Sequence, residues 1–250
     1  MSEPYQWLSQ YYDELFLPVR PPIDAAREHI LAHILPSVKK ACDIACGTGT
    51  TAVTLARRGI RTYAVDISSR MCSLTREKAR REGVSVRVFR GDMRSFRLPD
   101  LVDLVVCEYD AINHIPHRDD LRKVSRIVQH ALRPGGHFLF DVNNAAAFKR
   151  YWRDTFMIER PGVVLTMRNG HTPQLDRAWA EIDLFVKEGQ HWLRHHERVE
   201  EVCWSSQEIQ TTFRDAGFDQ LRAWDAAQFW KTPPLKKGSR TIYLARKAER

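Results

Sequence analysis

One glycine loop and three acidic side chains early in the chain have types and spacing that suit ligand chemistry. The loop reads Asp43-Ile44-Ala45-Cys46-Gly47-Thr48-Gly49-Thr50. Gly47 and Gly49 let backbone approach a ligand closely and tolerate dihedrals closed to other residues. A helix opening just after the loop presents free N–H groups at Thr50 to Ala52, which attract a carboxylate or phosphate. Asp66 ends the β-rich run Arg61–Val65, where a carboxylate accepts from both hydroxyls of a ribose. Asp92 follows the alternating run Val84–Arg90 and can accept from an exocyclic amine such as that of adenine. The expected ligand is adenosine with a charged tail. Gly47-x-Gly49-x-x-Ala52, with Asp66 about 20 residues on, also satisfies the dinucleotide fingerprint, so the loop alone leaves a nicotinamide cofactor open.

The second reactive stretch is Glu108-Tyr109-Asp110-Ala111-Ile112-Asn113-His114-Ile115-Pro116-His117. With an unperturbed pKa of about 6.5, His114 is the first candidate base and His117 the second. Either reads equally as a loop histidine with a structural hydrogen bond. Glu108 can meet a ligand amine or pair with an arginine. Asp141 and Asn143 can face substrate or terminate a sheet. No metal is expected: His114-x-x-His117 lacks a third ligand at recognisable spacing. Four residues along a strand hold the Cys42 and Cys46 sulfurs ~13 Å apart. The five cysteines are odd in number and lie mostly in apolar contexts, which favours a reducing compartment over a disulfide framework.

Alternating elements must position these groups. Strands are predicted at Lys40–Cys46, Arg61–Val65, Val84–Arg90, Val102–Cys107 and His137–Val142. Helices are predicted at Thr51–Arg58, Ser69–Glu82 and Asp119–Leu132, the last ended by Arg133-Pro134-Gly135-Gly136. This order implies an α/β fold, a doubly wound, mainly parallel sheet of seven strands with ligands beyond the strand C-terminal ends. Ahead of it, residues 1–36 read as a helical cap. An aromatic helix from Ser2 is broken by Pro18, Pro21 and Pro22, and a second helix follows over Ile23–Leu35. Residues 151–203 read as an antiparallel insertion after the fifth strand. Its β-like runs are Val163–Met167, Ala178–Val186, His191–Leu193 and Val199–Trp204, separated by turns at Pro161-Gly162, Asn169-Gly170 and Glu188-Gly189. A helix capped by Ser205 or Ser206, with Glu208 early and Gly217 at its end, leads to closing strands at Phe218–Trp224 and Arg240–Arg246. The α/β unit is therefore 37–150 with 204–250.

The 250 residues, 43% hydrophobic and 28% charged, suit one large domain with an insertion. No apolar run is long enough to span a bilayer, and Met1–Gln10 lacks the basic start and apolar core of a signal peptide. A cytoplasmic location is the expectation. The net charge of +8 hints at nucleic acid or an anionic substrate, but it reads as spread along the chain with no basic tail.

From Ala41 to Val142 the landmarks, taken in order, resemble the class I S-adenosylmethionine-dependent methyltransferases of the methyltransferase-domain-25, small-molecule type. They are the glycine loop, Val65-Asp66-Ile67-Ser68 with Met71, Gly91-Asp92-Met93-Arg94, Val102-Asp103-Leu104-Val105-Val106 and Leu132-Arg133-Pro134-Gly135-Gly136. The resemblance implies S-adenosyl-L-methionine as cofactor. Asp66 would hold the ribose, Ile67 and Met93 would flank the adenine, and Asp92 would take its amine. Gly47 and Gly49 would line the methionyl moiety, Glu108 would contact its amine or pair with an arginine, and Asp43, Ala45 and Met71 would also belong to the cofactor site. Tyr12, in Tyr12-Asp13-x-Leu15-Phe16, would reach the cofactor or anchor the cap. Ala45-Cys46 stands where many members have a third glycine.

Methyl transfer needs alignment and exclusion of water, and a base only when the nucleophile arrives protonated. The expected activity is transfer to a nitrogen or oxygen of a small molecule. The insertion is the specificity element, with Trp179, Phe185, Trp192 and Trp204 as pocket walls or simply its core. No role is assigned to His191, His195 or His196. Its placement resembles the sugar-amine N,N-dimethyltransferases, and its exposed edge allows a homodimer. Open alternatives are an RNA or protein methyltransferase (though no Asn/Asp-Pro-Pro-Tyr tetrad is present), an NAD(P) oxidoreductase, and a nonenzymatic binding protein.

Overall fold

The computed structural model describes residues 5–16, 20–229 and 238–249. Five parallel strands form first: β1 Lys40–Ile44, β2 Arg61–Asp66, β3 Val86–Arg90, β4 Val102–Cys107 and β5 Leu132–Asn143. Helices α3 Thr50–Arg57, α4 Ser69–Arg81 and α5 Arg118–Ala131 connect them, after α1 Tyr12–Phe16 and α2 Pro21–Leu31. Near the C-terminal end, α7 Ser206–Asp215, β10 Phe218–Asp225 and β11 Arg240–Lys247 complete the sheet. Its order is β10-β11-β5-β4-β1-β2-β3, and β11 alone runs against its neighbours. This is the α/β, mainly parallel, seven-stranded sheet that the strand–helix alternation predicts. The chain leaves β1 for β2 and β3 on one side, then crosses to β4 on the other. That reversal opens a crevice beyond the C-terminal ends of β1 and β4.

Successive side chains of a strand point to opposite faces. Along β4, Val105 and Cys107 enter the core of Phe138, Phe140 and Phe213, whereas Leu104 and Val106 enter the core of Ile23, Leu31 and Leu55. Both faces of the central strands are therefore buried, and their sequences are mostly apolar, interrupted by Asp43 in β1 and Asp103 in β4.

The antiparallel insertion forms its own sheet, β6 Thr155–Arg160, β7 Val163–Thr172, β8 Arg177–Glu188 and β9 His191–Val202, paired in that order. Its inner face packs on Leu8, Leu15, Phe148 and Trp152, the last two from or just after α6 Ala145–Tyr151.

The structure corrects several local expectations. Pro21 and Pro22 open α2, where a proline's missing N–H costs nothing, and the helix stops at Leu31 short of Leu35. Pro18 lies outside the described residues. Asn169-Gly170 is no turn: it sits inside β7, where a Cβ on Gly170 would lie 2.1 Å from the Trp179 indole across the ladder. His191–Leu193 and the first four residues of Val199–Trp204 belong to one continuous strand ending at Val202, with Cys203 and Trp204 beyond it, and its polar middle hides its length from a hydrophobic pattern. The pattern also misses β6, whose side chains are mostly exposed, and the short α6, capped by Asn144 accepting from the N–H groups of Ala146 and Ala147.

Candidate active site

A cavity of about 560 Å³ lies in the crevice beyond β1 and β4. Of the residues singled out from the sequence, Tyr12, Ala45, Gly47, Asp66, Ile67, Met71, Asp92, Met93, Glu108 and His114 line it. Asp43, Gly49 and His117 do not.

Their absence has physical causes. Asp43 lies beneath the loop and accepts from the Ala52 N–H at 3.0 Å, so the chain's own carboxylate satisfies an amide expected to be free for ligand. Burial pushes the Asp43 carboxyl up to about 8, and Glu108 adds to that. Gly49 is the left-handed N-cap of α3, φ +78°, and a Cβ there would come within 2.4 Å of Thr75. It permits close helix packing. Gly47, also left-handed, faces open space. His117 is exposed at the N-cap of α5.

Asp66 accepts from the Gly47 N–H at 2.8 Å and the Ser68 N–H at 2.9 Å, tying the loop to the end of β2. Burial raises its pKa against the pull of those amides. Ile67 is left 46% exposed over the cavity, an apolar platform among polar groups. Asp92 is held by Arg94, whose N–H and guanidinium donate to it at 2.5–3.0 Å. Burial opposes its ionisation, yet Arg94 leaves its carboxyl below the usual range. Glu108 accepts from Arg27 at 2.7 Å and from Thr51 at 2.6 Å through one oxygen, while Oε1 is buried without a partner among the described residues. A buried carboxylate oxygen of this kind calls for a donor.

The His114 loop is tightly pinned. Asn113 is fully buried, donating to the carbonyls of Asn143 and Val202 and accepting from the Asn143 N–H. Trp204, buried rather than lining the cavity, donates from its indole to the Ile112 carbonyl at 3.1 Å. His114 Nδ1 lies 3.1 Å from the Glu200 carbonyl and Nε2 3.2 Å from the Tyr5 hydroxyl. A carbonyl can only accept, so Nδ1 carries the proton, and in the neutral ring Nε2 accepts from Tyr5. Just upstream, Tyr109 (φ 62°) and Asp110 (φ 52°) are both left-handed without being glycine. Their N–H groups donate to Asp141 at 2.7 and 3.0 Å, and Arg240 braces both Asp141 and Asp110. Burial raises Asp141 to about 6. Ligand-type atoms of Asp110, His114 and Glu201 converge within 4.8 Å, which sequence spacing could not reveal. Arg240 neutralises Asp110 there, Asp110 and Glu201 share a hydrogen bond, and both ring nitrogens of His114 are engaged.

Sequence reasoning does not find the remaining walls. Tyr5 comes from the N-terminal segment, Tyr109 from the strained loop, and Arg198, Val199 and Glu200 from β9. Tyr5 carries a signal in its place in the aromatic run and Tyr109 in its place in the stretch that holds His114, whereas nothing in the Val199–Trp204 run marks Val199 or Glu200 as cavity wall. Of the insertion's aromatics, Trp179 stacks under Arg198 and Trp192 is exposed; neither lines the cavity.

Comparison with known proteins agrees with this geometry. Residues 41–136 match the methyltransferase domain. A putative methyltransferase, YqeM of Bacillus subtilis (strain 168), is 26% identical over 98% of both chains. The dTDP-4-amino-2,3,4,6-tetradeoxy-D-glucose N,N-dimethyltransferase of Saccharopolyspora spinosa is 31% identical over 41% of this chain and 39% of its own. The crystal structure of an S-adenosylmethionine-dependent methyltransferase from Clostridium acetobutylicum ATCC 824 superposes with a TM-score of 0.83 at 25% identity, covering 98% of this chain and 99% of that one. The domain match decides what the glycine loop left open, and the chain is a methyltransferase of the class I fold.

Proposed function

We propose that this S-adenosylmethionine-dependent methyltransferase transfers its methyl group to a nitrogen or oxygen nucleophile of a small molecule. One observation carries the reading. The cavity lined by Asp66, Asp92 and Glu108 is also lined by Tyr5 of the N-terminal segment, His114 and Ile115 of the loop after β4, and Val199 and Glu200 of the insertion, so room for a small acceptor and for the cofactor lies in one cavity.

The residues present fit the cofactor. Asp66 has lone pairs left for ribose hydroxyls, Ile67 and Met93 offer apolar faces for adenine, and the partnerless Glu108 oxygen suits the methionyl ammonium. The cofactor supplies an activated methyl group; the chain aligns the acceptor and excludes water. Asp92 would share its carboxylate between Arg94 and the adenine amine. With Nδ1–H donating to the Glu200 carbonyl, the neutral ring of His114 presents Nε2 as a hydrogen-bond acceptor, which can take a proton from a methyl acceptor that displaces the Tyr5 hydroxyl. The insertion's outer strand β6 leaves Phe156 and Met157 exposed, which is where a second copy would pair. Sedimentation of the parent and a Met157→Lys variant checks that: a dimer lost in the variant supports it.

The acceptor is tested by incubating the enzyme with methyl-labelled cofactor and separate panels of small amines, small alcohols and phenols, RNA, and protein. Label in a low-mass product supports the proposal. Label found only in RNA or protein overturns it.

A further inference from the structure

The net charge is not spread along the chain. Between Arg57 and Arg90 stand ten Lys or Arg and three Asp or Glu, so this stretch holds +7 of the chain's +8. The rest of the chain is close to balanced. The stretch is one structural unit, from the end of α3 through β2 and α4 to β3, and β3 is the outer strand of the sheet. Folding therefore gathers almost the whole excess charge at one edge.

Much of that charge faces solvent. Arg57 and Arg58 pair with Glu82 and Glu28, and Arg81 lies 3.8 Å from the same Glu82. Elsewhere around α4 and β3 neutral partners take over. Arg70 donates to Gln10, Arg76 to the Val88 carbonyl, and Arg87 lies over the rings of Tyr63 and Phe89. Arg70, Arg76, Arg80, Arg81, Arg87 and Arg90 are all exposed. Lys78, the one lysine of the stretch, points away to Asp13 at 2.6 Å. The face is thus built of arginine, whose planar fork matches phosphate oxygens.

The face adjoins the active site. Ile67 and Gly91, both cavity-lining, are near neighbours in sequence of Arg70 and Arg90.

We infer that the α4–β3 arginine face is a docking surface for RNA, contacted through its phosphates. A protein partner of the same charge fits less well, because protein interfaces centre on buried apolar and aromatic anchors. Ile67 is the only exposed large hydrophobic residue in the stretch, and it faces the cavity. RNA binding at this face is independent of which group accepts the methyl.

The experiment is fluorescence anisotropy of a labelled RNA hairpin against the full chain over a series of salt concentrations, without cofactor. The face variant carries Arg70→Gln, Arg80→Gln and Arg87→Gln. A charge-matched control carries Arg118→Gln, Arg122→Gln and Arg126→Gln on α5, all exposed. The parent should bind, with log affinity falling linearly in log salt. The face variant should bind at least ~10-fold more weakly, with a slope shallower by about 0.9 for each phosphate it no longer neutralises. The control should bind like the parent. Absence of parent binding overturns the inference. So does equal weakening in both variants, which would mean that net charge alone acts. Labelled poly-glutamate binding at the face in preference to RNA would assign it to an acidic protein and overturn the inference as well.

Discussion

At the scale of single residues, the proposed function divides the cavity into groups that would hold the cofactor and one, His114, that would react. Asp66 both braces the glycine loop and faces the cavity. Asp66→Ala should weaken S-adenosylhomocysteine binding by about 2–3 kcal/mol, the loss of charge-assisted hydrogen bonds, measured by calorimetry. Unchanged affinity would remove Asp66 from the site. His114 contacts Tyr5 and the Glu200 carbonyl but neither Asp66 nor Asp92. His114→Ala should therefore lower kcat by ~10²-fold or more, the range of general-base contributions, and leave S-adenosylhomocysteine affinity near that of the parent. Full activity across pH in that variant would rule out the base.

At the scale of elements, buried carboxyls hold the turns that shape the cavity. Asp43 anchors the start of α3 to β1, and Asp141 in β5 fixes the two left-handed residues after β4. Both carboxyls are raised by burial, to about 8 and about 6. The folded chain then holds these protons more tightly than the unfolded chain, in which an aspartate titrates near 3.9. Their contribution to stability is present at acid pH and is lost as pH rises, through about 6 for Asp141 and about 8 for Asp43. Asp43→Asn keeps an acceptor for Ala52 and removes the titration. It should flatten the fall in melting temperature between pH 6 and 8, measured by thermal denaturation. Gly49→Ala should cost about 2–4 kcal/mol in urea unfolding, from the left-handed backbone and the Thr75 overlap together.

At the scale of the whole molecule, the N-terminal segment ties the two sheets together. Asp13 accepts from Thr48 and pairs with Lys78 at 2.6 Å on the seven-stranded side. On the insertion side, Glu197 accepts from the Leu8 N–H at 3.1 Å and His195 stacks on Trp7. Tyr5 and Tyr12, carried by this strap, close the cavity. Asp13→Ala should loosen it and weaken S-adenosylhomocysteine binding by about 1 kcal/mol, with faster proteolysis of the first residues while α4 stays protected. Equal protection in parent and variant would argue against the strap.

What the sequence determined by itself follows from local physics. Short apolar and β-rich runs marked β1, β2 and β4, alternation marked β3, glycines marked the turn after β1 and the ends of α3 and α4, and the loop with Asp66 and Asp92 followed from strand ends that a parallel sheet must bring to one edge. Interior strands are buried on both faces and so advertise themselves; β6 and the middle of β9 are exposed on one and do not. Only the tertiary structure decided which of the marked residues reach the cavity. Asp43 and Gly49 lie in the right loop, yet packing against Ala52 and Thr75 turns them inward. Tyr5, Tyr109 and β9 enter the wall through contacts between residues roughly a hundred positions apart, as in the Tyr5–His114 pair. No local pattern encodes such closures, because their energy comes from surfaces that meet only once the sheet, the insertion and the strap have docked.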